Sequence, residues 1–295
     1  MTESGTRTAF PAALPQVCGV VGGGRMGAGI AHALLLAGSE AVVLERDTDA
    51  AAAAAGRVER AMRASADRGK IDDPAPLLKR LRTATRYEDL SGCGLVVEAV
   101  PEDLDLKLTT LRAVEDAVAA GTVIASNTSS ISLDTLAQAL AHPERVLGLH
   151  FFNPVPASRL VEVVLAPATG DALRERAVAW VEQLGKTAVV VHDAPGFASS
   201  RLGVALGLEA IRMVESGVAS AEDVDAAMSL GYGHPTGPLK LTDIVGLDVR
   251  LGIARYLERE LGPRFAPPAL LVEKVEQGHL GRKSGRGFYE WPGKA

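Results

Sequence analysis

Apolar residues fall along the chain in two alternating rhythms. Short runs rich in β-branched residues stand at "QVCGVV" (16–21), "AVVLE" (41–45), "GLVVEA" (94–99), "TVIAS" (122–126) and "RVLGLH" (145–150). Turn formers flank each run, the pattern of buried parallel strands. Longer segments with helical periodicity lie between them. One runs from Arg25 to Ala37 and is closed by Gly38; another is the alanine-rich "TDAAAAAAGRVERAMRASADRG". This βαβ alternation predicts an α/β fold built on a doubly wound sheet. One stretch breaks the rhythm. "GLHFFNPVPASRLVEVV" (148–164) sets His150, Asn153 and Glu162 among residues that otherwise read as buried strand. Buried polar groups cost free energy unless they are paired, so these three need a partner or a purpose.

The pattern changes near "HDAPGF" (192–197), beyond which no convincing strand is expected until the extreme C-terminus. "SSRLGVALGLEAIRMVESG" reads as a long, mostly apolar helix that needs cover on several sides. "SAEDVDAAMSLG" reads as a helix capped by Ser220, with Asp223 three residues on, and ended by Gly231. The expected layout is a flexible tail over 1–15, an α/β domain over 16–193 and an all-α domain over 194–295.

Composition narrows the function. The 295 residues suffice for one large or two ordinary domains. A net charge of −5 argues against nucleic acid as the main partner. No apolar run approaches the roughly 20 residues of a spanning helix, and the N-terminus lacks the long apolar segment of a signal peptide. The two cysteines, Cys18 and Cys93, fall in or beside core strands without metal-ligand spacing. A soluble cytoplasmic protein without a metal, in a reducing compartment, is the expectation.

"VVGGGRMGAGIA" places Gly22, Gly24 and Gly27 in G-x-G-x-x-G spacing between a predicted strand and a predicted helix. In a Rossmann-type domain the first glycine allows the tight turn. The second lets the backbone approach a pyrophosphate, and the third lets helix and strand pack closely. The helix N-terminus then faces the phosphates. Arg25 and Met26 lie in the same loop and are counted with it as cofactor-binding. Glu45 closes the next strand, 23 positions after Gly22. It can accept hydrogen bonds from the ribose hydroxyls and would repel a 2′-phosphate, which favours NAD; the neighbouring Arg46 is the residue type that can accommodate that phosphate.

An enzyme that oxidises an alcohol with a nicotinamide must also remove the hydroxyl proton, a task suited to histidine. Of six histidines, His150 alone ends a predicted sheet strand on the carboxyl side, where open α/β sheets bind ligands. Glu162 can hold its ring, as the acid of a catalytic triad does. "SNTSS" (126–130) follows another strand and offers Ser129 as a hydroxyl donor to the substrate oxygen. Singly, each has a plain structural alternative: a satisfied histidine, a helix cap, a surface glutamate. Beside a dinucleotide loop, together they read as half an active site.

The blocks "GGGRMGAGIA", "VVEAVPEDLDLK", "ASNTSS", "GLHFFNPV", "LVEVV", "DAPGF", "HPTGPLKLTDIVGLD" and "GRKSGRGFYEW" resemble, in residues and spacing, the 3-hydroxyacyl-CoA dehydrogenase family, in particular its short-chain 3-hydroxybutyryl-CoA type. The resemblance covers nearly the whole chain after the tail. It implies an NAD domain followed by an all-α dimerisation domain, a homodimer, and oxidation of an (S)-3-hydroxyacyl-CoA to the 3-oxoacyl-CoA. Carried over by position, His150 resembles the base and Glu162 its partner. Ser129 resembles the serine between substrate and nicotinamide. Glu102, Lys107, Asn153 and Lys283 resemble NAD contacts. The second-helix region reaches CoA in the family, and Arg60 and Arg68 are the arginines singled out there for its phosphates.

One departure stands out. The family often has an asparagine just before the arginine after "PGF", and here Ser200 stands there. A serine donates and accepts, with shorter reach. Two other readings compete with the acyl-CoA one: a dehydrogenase of a free hydroxy acid, as in the gulonate dehydrogenase and lambda-crystallin branch, and a catalytically silent NAD-binding protein. The basic second helix and the "HPTGPLKLTDIVGLD" segment favour the thioester.

Overall fold

A computed structural model describes residues 13–292. The chain divides after Asp193 into two compact units. The first unit carries eight strands: β1 (Val17–Val21), β2 (Glu40–Leu44), β3 (Leu81–Ala84), β4 (Leu95–Glu98), β5 (Val123–Ser126), β6 (Val146–Phe151), β7 (Leu160–Leu165) and β8 (Thr187–His192). Its helices are α1 (Arg25–Leu36), α2 (Thr48–Asp67), the short α3 (Ala75–Leu78), α4 (Leu104–Ala117), α5 (Leu133–Gln138) and α6 (Asp171–Gln183).

The strands form one sheet in the order β3-β2-β1-β4-β5-β6-β7-β8. Pairing is parallel throughout except between β6 and β7, which run antiparallel. The doubly wound sheet predicted from the alternation is present, extended by strands that periodicity did not single out. β3, "LRTA", is too short and polar to signal a strand, whereas β8 carries the β-branched run "AVVV", passed over in the sequence although the run is plain; none of its six residues is buried. His192 is the last residue of β8, so His150 is not, as the sequence suggested, the one histidine at a strand end of this sheet. The antiparallel step matters for function, because a β6–β7 hairpin sets the two strands directly opposite one another.

The sheet core joins Cys18 and Val20 of β1 to Ile30, Leu34 and Leu35 of α1 and to Val58 and Met62 of α2. Its other end closes over Trp180 and Val181 of α6. Cys18 and Cys93 are buried free thiols, and burial pushes the Cys18 thiol up to about 12 and that of Cys93 up to about 11. Neither is a nucleophile at neutral pH. The expected tail is corrected at its end. The Ala13 carbonyl accepts from Trp180 Nε1 at 2.9 Å, the Leu14 N–H donates to Gln183 Oε1 at 2.9 Å, and the Pro15 carbonyl accepts from Ser39 Oγ at 2.8 Å. Residues 13–15 are therefore docked; positions 1–12 lie outside the described residues.

The second unit is helical: α7 (Ser199–Glu215), α8 (Ala221–Tyr232), α9 (Pro238–Val245), α10 (Leu247–Leu261) and α11 (Ala269–Glu276). Ser220 caps α8 through the Asp223 N–H, as its spacing predicts. The helix runs one residue past Gly231, to Tyr232, and is closed by Gly233, whose φ of 72° is the left-handed conformation a closing glycine supplies. Among the described residues near the C-terminus the pairing is by isolated bridges, Gly281 with Arg286 and Arg286 with Glu290.

Two carboxylates staple this unit. Asp225 accepts from the Leu239 and Lys240 N–H groups at the start of α9 and from Tyr289 Oη, each at 2.8 Å. Asp243, fully buried, accepts from the Phe288 and Tyr289 N–H groups and from Trp291 Nε1. A Cβ at Gly287 would overlap the Asp243 carboxylate. The motifs "KLTDIV" and "GRGFYEW" thus complete each other's hydrogen bonds. Leu202, Leu230, Tyr232 and Val249 of this unit remain exposed.

Candidate active site

The glycine loop joins β1 to α1. Gly22 has a φ of 90°, and its N–H donates to the Leu44 carbonyl at 2.9 Å. A Cβ at Gly27 would overlap the Gly22 carbonyl, so that glycine lets α1 start against the turn. A Cβ at Gly24 would meet nothing within 4 Å. Gly24 is exposed and is the residue that opens α1, so free backbone N–H groups face the space above it. A pyrophosphate fits such a cradle without displacing protein atoms. Gly23, passed over in the spacing argument, is equally constrained, since a Cβ there would overlap that of Ala54 on α2.

Glu45 follows β2 and turns back to this loop. Its Oε1 accepts the Gly23 N–H at 2.8 Å and its Oε2 the Arg46 N–H at 3.3 Å. The carboxylate is thereby fixed beside the turn. Arg46 points away, with Nε 3.0 Å from Asp47, the residue that caps α2. Met26 packs its side chain against the sheet core, while Arg25 is exposed. Arg25 lines a cleft of about 250 Å³ with Arg57, Arg60, Asn153 and Pro154. Arg57 also donates to the Gly23 carbonyl at 3.2 Å. Arg60 and Asn153, predicted from separate motifs, therefore share one basic cleft. Arg68 lies outside it, exposed at the C-terminal end of α2.

At the carboxyl ends of β4 and β5 a polar network replaces the apolar core. Lys107 of α4 and Glu98 of β4 are each 1% exposed, and Nζ meets Glu98 Oε1 at 2.7 Å. The same ammonium reaches the Val100 carbonyl and Glu102 Oε2, both at 3.3 Å. Three acceptors for three protons satisfy a buried lysine. Glu98 Oε2 accepts from Ser126 Oγ at 2.7 Å. Glu102 Oε1 gathers the next turn, accepting the Thr128 hydroxyl at 2.7 Å and the Ser129 and Ser130 N–H groups at 2.8 and 2.9 Å. Partial burial alone would raise its pKa; Lys107 and the loop donors outweigh that, and the net direction is downward. Of the two residues the family resemblance marked as cofactor contacts, Glu102 holds the Ser129 turn in shape, and Lys107 is buried with its protons taken by Glu98, the Val100 carbonyl and Glu102.

His150 and Glu162 are paired in register across the β6–β7 hairpin. Side chains directly opposite in antiparallel strands share one face, with Cβ atoms about 5 Å apart. His150 Nδ1 lies 2.8 Å from Glu162 Oε2. The histidine is 6% exposed and the glutamate 0%. Phe152 tilts against the imidazole, ring centroids 4.5 Å apart. Asn127 Oδ1 accepts the Phe151 N–H at 2.9 Å and so ties the strand end carrying His150 to the turn carrying Ser129. Twelve residues separate His150 from Glu162 in sequence; the hairpin removes that distance.

Glu98, Ser126 and Asn127 are site residues that the sequence alone did not single out. Glu98 carried the same signal as His150, a charged residue inside a β-branched run. Ser200 is the second residue of α7 in the helical unit and is partly buried there. Lys283 pairs with Asp248 at 2.6 Å, also within that unit. Among the described residues no helix is long and apolar enough to cross a membrane.

Comparison with known proteins agrees with this geometry. The family model for the NAD binding domain of 3-hydroxyacyl-CoA dehydrogenase matches residues 17–194, and that for its C-terminal domain matches residues 196–291. A 3-hydroxybutyryl-CoA dehydrogenase of Mycobacterium tuberculosis is 43% identical over 281 residues, 94% of this chain and 98% of that protein. The mitochondrial hydroxyacyl-coenzyme A dehydrogenase of Sus scrofa is 38% identical over 282 residues, 92% of this chain and 90% of the other. The crystal structure of (S)-3-hydroxybutyryl-CoA dehydrogenase from Ralstonia eutropha superposes with a TM-score of 0.90 at 37% identity, covering 95% of this chain and 100% of that one. With a glycine cradle that fits a dinucleotide and family models matching both units, the chain belongs to the 3-hydroxyacyl-CoA dehydrogenase family of NAD-dependent oxidoreductases.

Proposed function

We propose that this protein oxidises a short-chain (S)-3-hydroxyacyl-CoA to the 3-oxoacyl-CoA, with His150 as general base and Glu162 as its orienting partner. The observation that carries the reading is the buried His150–Glu162 contact of 2.8 Å, set by strand register at the carboxyl edge of a dinucleotide-binding sheet. When bound, NAD supplies the hydride acceptor. The chain's own residues do the rest. Glu162 accepts a hydrogen bond from Nδ1–H, which fixes the tautomer and directs the Nε2 lone pair to the hydroxyl proton of the substrate. Positive charge gained by the ring is offset by the adjacent carboxylate.

Ser129 lies in a turn fixed by Glu102, so its hydroxyl can meet the substrate oxygen without first being ordered. Ser200 takes the position of the family's asparagine and contacts the acyl portion or the nicotinamide. Glu45, fixed beside Gly23, reads the ribose hydroxyls and selects NAD over NADP. Arg60 and Asn153, and with them Arg25, offer donors to phosphate groups from the basic cleft; Arg68, farther along α2, and Lys283 complete the ligand contacts. Exposed Leu202, Leu230, Tyr232 and Val249 on the helical unit form the covered face of a homodimer. A cytoplasmic location follows the same reading.

The direct test follows NADH absorbance with acetoacetyl-CoA, with NADPH in place of NADH, and with free acetoacetate. Rapid NADH oxidation with the thioester alone is expected. Turnover of the free acid alone would overturn the thioester reading, and absence of turnover with tight NADH binding would leave only a dinucleotide-binding role.

A further inference from the structure

Three consecutive glycines, Gly22, Gly23 and Gly24, leave the cofactor loop unusually free to rotate its peptide planes. The fold restrains that freedom group by group. The Gly22 N–H donates to the Leu44 carbonyl at 2.9 Å, the Gly23 N–H donates to Glu45 Oε1 at 2.8 Å, and the Gly24 carbonyl accepts from the Ala28 N–H at 2.9 Å. Between them lies the Gly23–Gly24 peptide. Its carbonyl is held by a side chain of α2: Arg57 Nη1 donates to the Gly23 oxygen at 3.2 Å.

The helix places Arg57 for this contact and offers it no other. Ala54, one turn earlier on the same face of α2, is the residue that a Cβ on Gly23 would overlap. At spacings of three and four along α2, Arg57 has Ala53, Ala54, Arg60 and Ala61, none of them acidic. Arg63 shows the ordinary arrangement for an exposed helical arginine, an ion pair with Glu59 one turn away. Among the described residues no carboxylate pairs with Arg57, and its guanidinium is spent on a loop carbonyl instead.

We propose that Arg57 is a positioning residue for the dinucleotide, locking the Gly23–Gly24 peptide plane so that the Gly24 N–H is presented to the pyrophosphate. The carbonyl and N–H of a trans peptide point in opposite directions, and this peptide is trans. A donor on the Gly23 oxygen therefore turns the Gly24 N–H the other way, at the residue where an added Cβ would meet no protein atom. Released, a plane set between two glycines can rotate and present an oxygen to the phosphates in place of a donor, which repels an anion. Glu45 and Arg57 thus grip Gly23 from its two ends, one at the N–H and one at the carbonyl. The ligand is the NAD that this domain family binds, and the acyl group plays no part.

The test is a fluorescence titration of NADH into wild-type and variant protein without substrate. Arg57→Met should raise the Kd of NADH about 5- to 20-fold, the loss of one charge-assisted hydrogen bond at an exposed side chain, with the urea midpoint near wild type. In turnover the KM of NADH should rise, while kcat and the KM of acetoacetyl-CoA change little. Arg57→Lys, which keeps a long donor, should restore part of the affinity. Because Glu45 and Arg57 act on one residue, Glu45→Ala and Arg57→Met together should weaken NADH binding by less than the product of their separate effects. Unchanged NADH affinity in Arg57→Met overturns the proposal, as does a lowered urea midpoint with unchanged affinity. A rise confined to the KM of acetoacetyl-CoA overturns it too, by giving Arg57 to the thioester, and strictly multiplicative losses overturn the route through Gly23. Absence of thioester turnover by the wild type would fail the proposed function and leave the titration to decide the role of Arg57.

Discussion

The glycine loop and the His150–Glu162 pair lie at the carboxyl edge of one sheet and are built by opposite means. In the loop, residues 22–27 and Glu45 act within a single βαβ unit, and the constraints fall on the backbone. Gly27 exists because a side chain would strike the Gly22 carbonyl, and Gly24 leaves open the space a phosphate needs. At the polar edge, partners come from distant segments and the constraints fall on side chains. Glu98, Glu102, Lys107 and Ser126 lie on or beside three different elements, and His150 meets Glu162 only through antiparallel register. A local site is specified by spacing, whereas a non-local site is specified by pairing. The polar edge should therefore be the more sensitive of the two to single changes in chemistry, and the loop to single changes in volume.

The largest expected effect is at the pair. His150→Ala should lower kcat by about 10³-fold, within the usual range for loss of a general base, while NAD affinity measured by fluorescence titration stays near wild type. Near-normal turnover would remove His150 as base. Glu162→Gln keeps shape and removes charge. It should lower kcat about 10- to 100-fold and alter the pH profile of kcat/KM, and an unaltered profile would reject the orienting role.

The loop comparison is sharpened by two alanines. Gly27→Ala should destabilise the fold by about 1–3 kcal/mol, read as a lower midpoint in urea, because the clash is with backbone and cannot relax cheaply. Gly24→Ala should leave that midpoint unchanged and weaken NAD binding, since its Cβ meets no protein atom. Equal effects of both substitutions on stability would show that Gly24 has a structural task. Glu45→Ala should reduce the ratio of kcat/KM for NAD over NADP by about tenfold; a constant ratio would show that Glu45 only braces Gly23.

The smallest effect concerns His32 inside α1. Its Nε2 contacts Ser65 Oγ at 2.8 Å, and burial, with Lys70 and Lys186, lowers its pKa to about 4. A histidine whose folded pKa lies below its unfolded value of about 6.5 leaves the unfolded chain with more bound protons between those values. Stability is full above about pH 6.5 and is lost as pH falls towards 4, by up to ~2–3 kcal/mol. Urea midpoints across that window should show the loss, and His32→Gln should reduce it. A His32→Gln slope identical to wild type would assign the acid sensitivity to other groups.

Much of this was legible in the chain. Strong β-branched runs marked β1, β2, β4, β5 and β6, since a strand buried on both faces must be apolar throughout. The same logic exposed His150, which stands out only because its neighbours are apolar. It was not applied to β8, whose run "AVVV" is as β-branched as those of β1 and β2 although the strand's residues are not buried. It under-read Glu98, where an equally plain signal had no motif to give it meaning. Residues 13–15 looked like tail because three isolated backbone hydrogen bonds leave no pattern in sequence.

The sequence by itself determined the elements of the sheet, the dinucleotide loop and the histidine at a strand end, because these depend on local periodicity, on turn stereochemistry and on a polar residue in an apolar run. The tertiary structure alone decided that β7 runs antiparallel and sets Glu162 opposite His150, and that Glu102 holds the Ser129 turn. Those facts depend on contacts between residues far apart in the chain, and register and burial come into being only when the strands and helices pack.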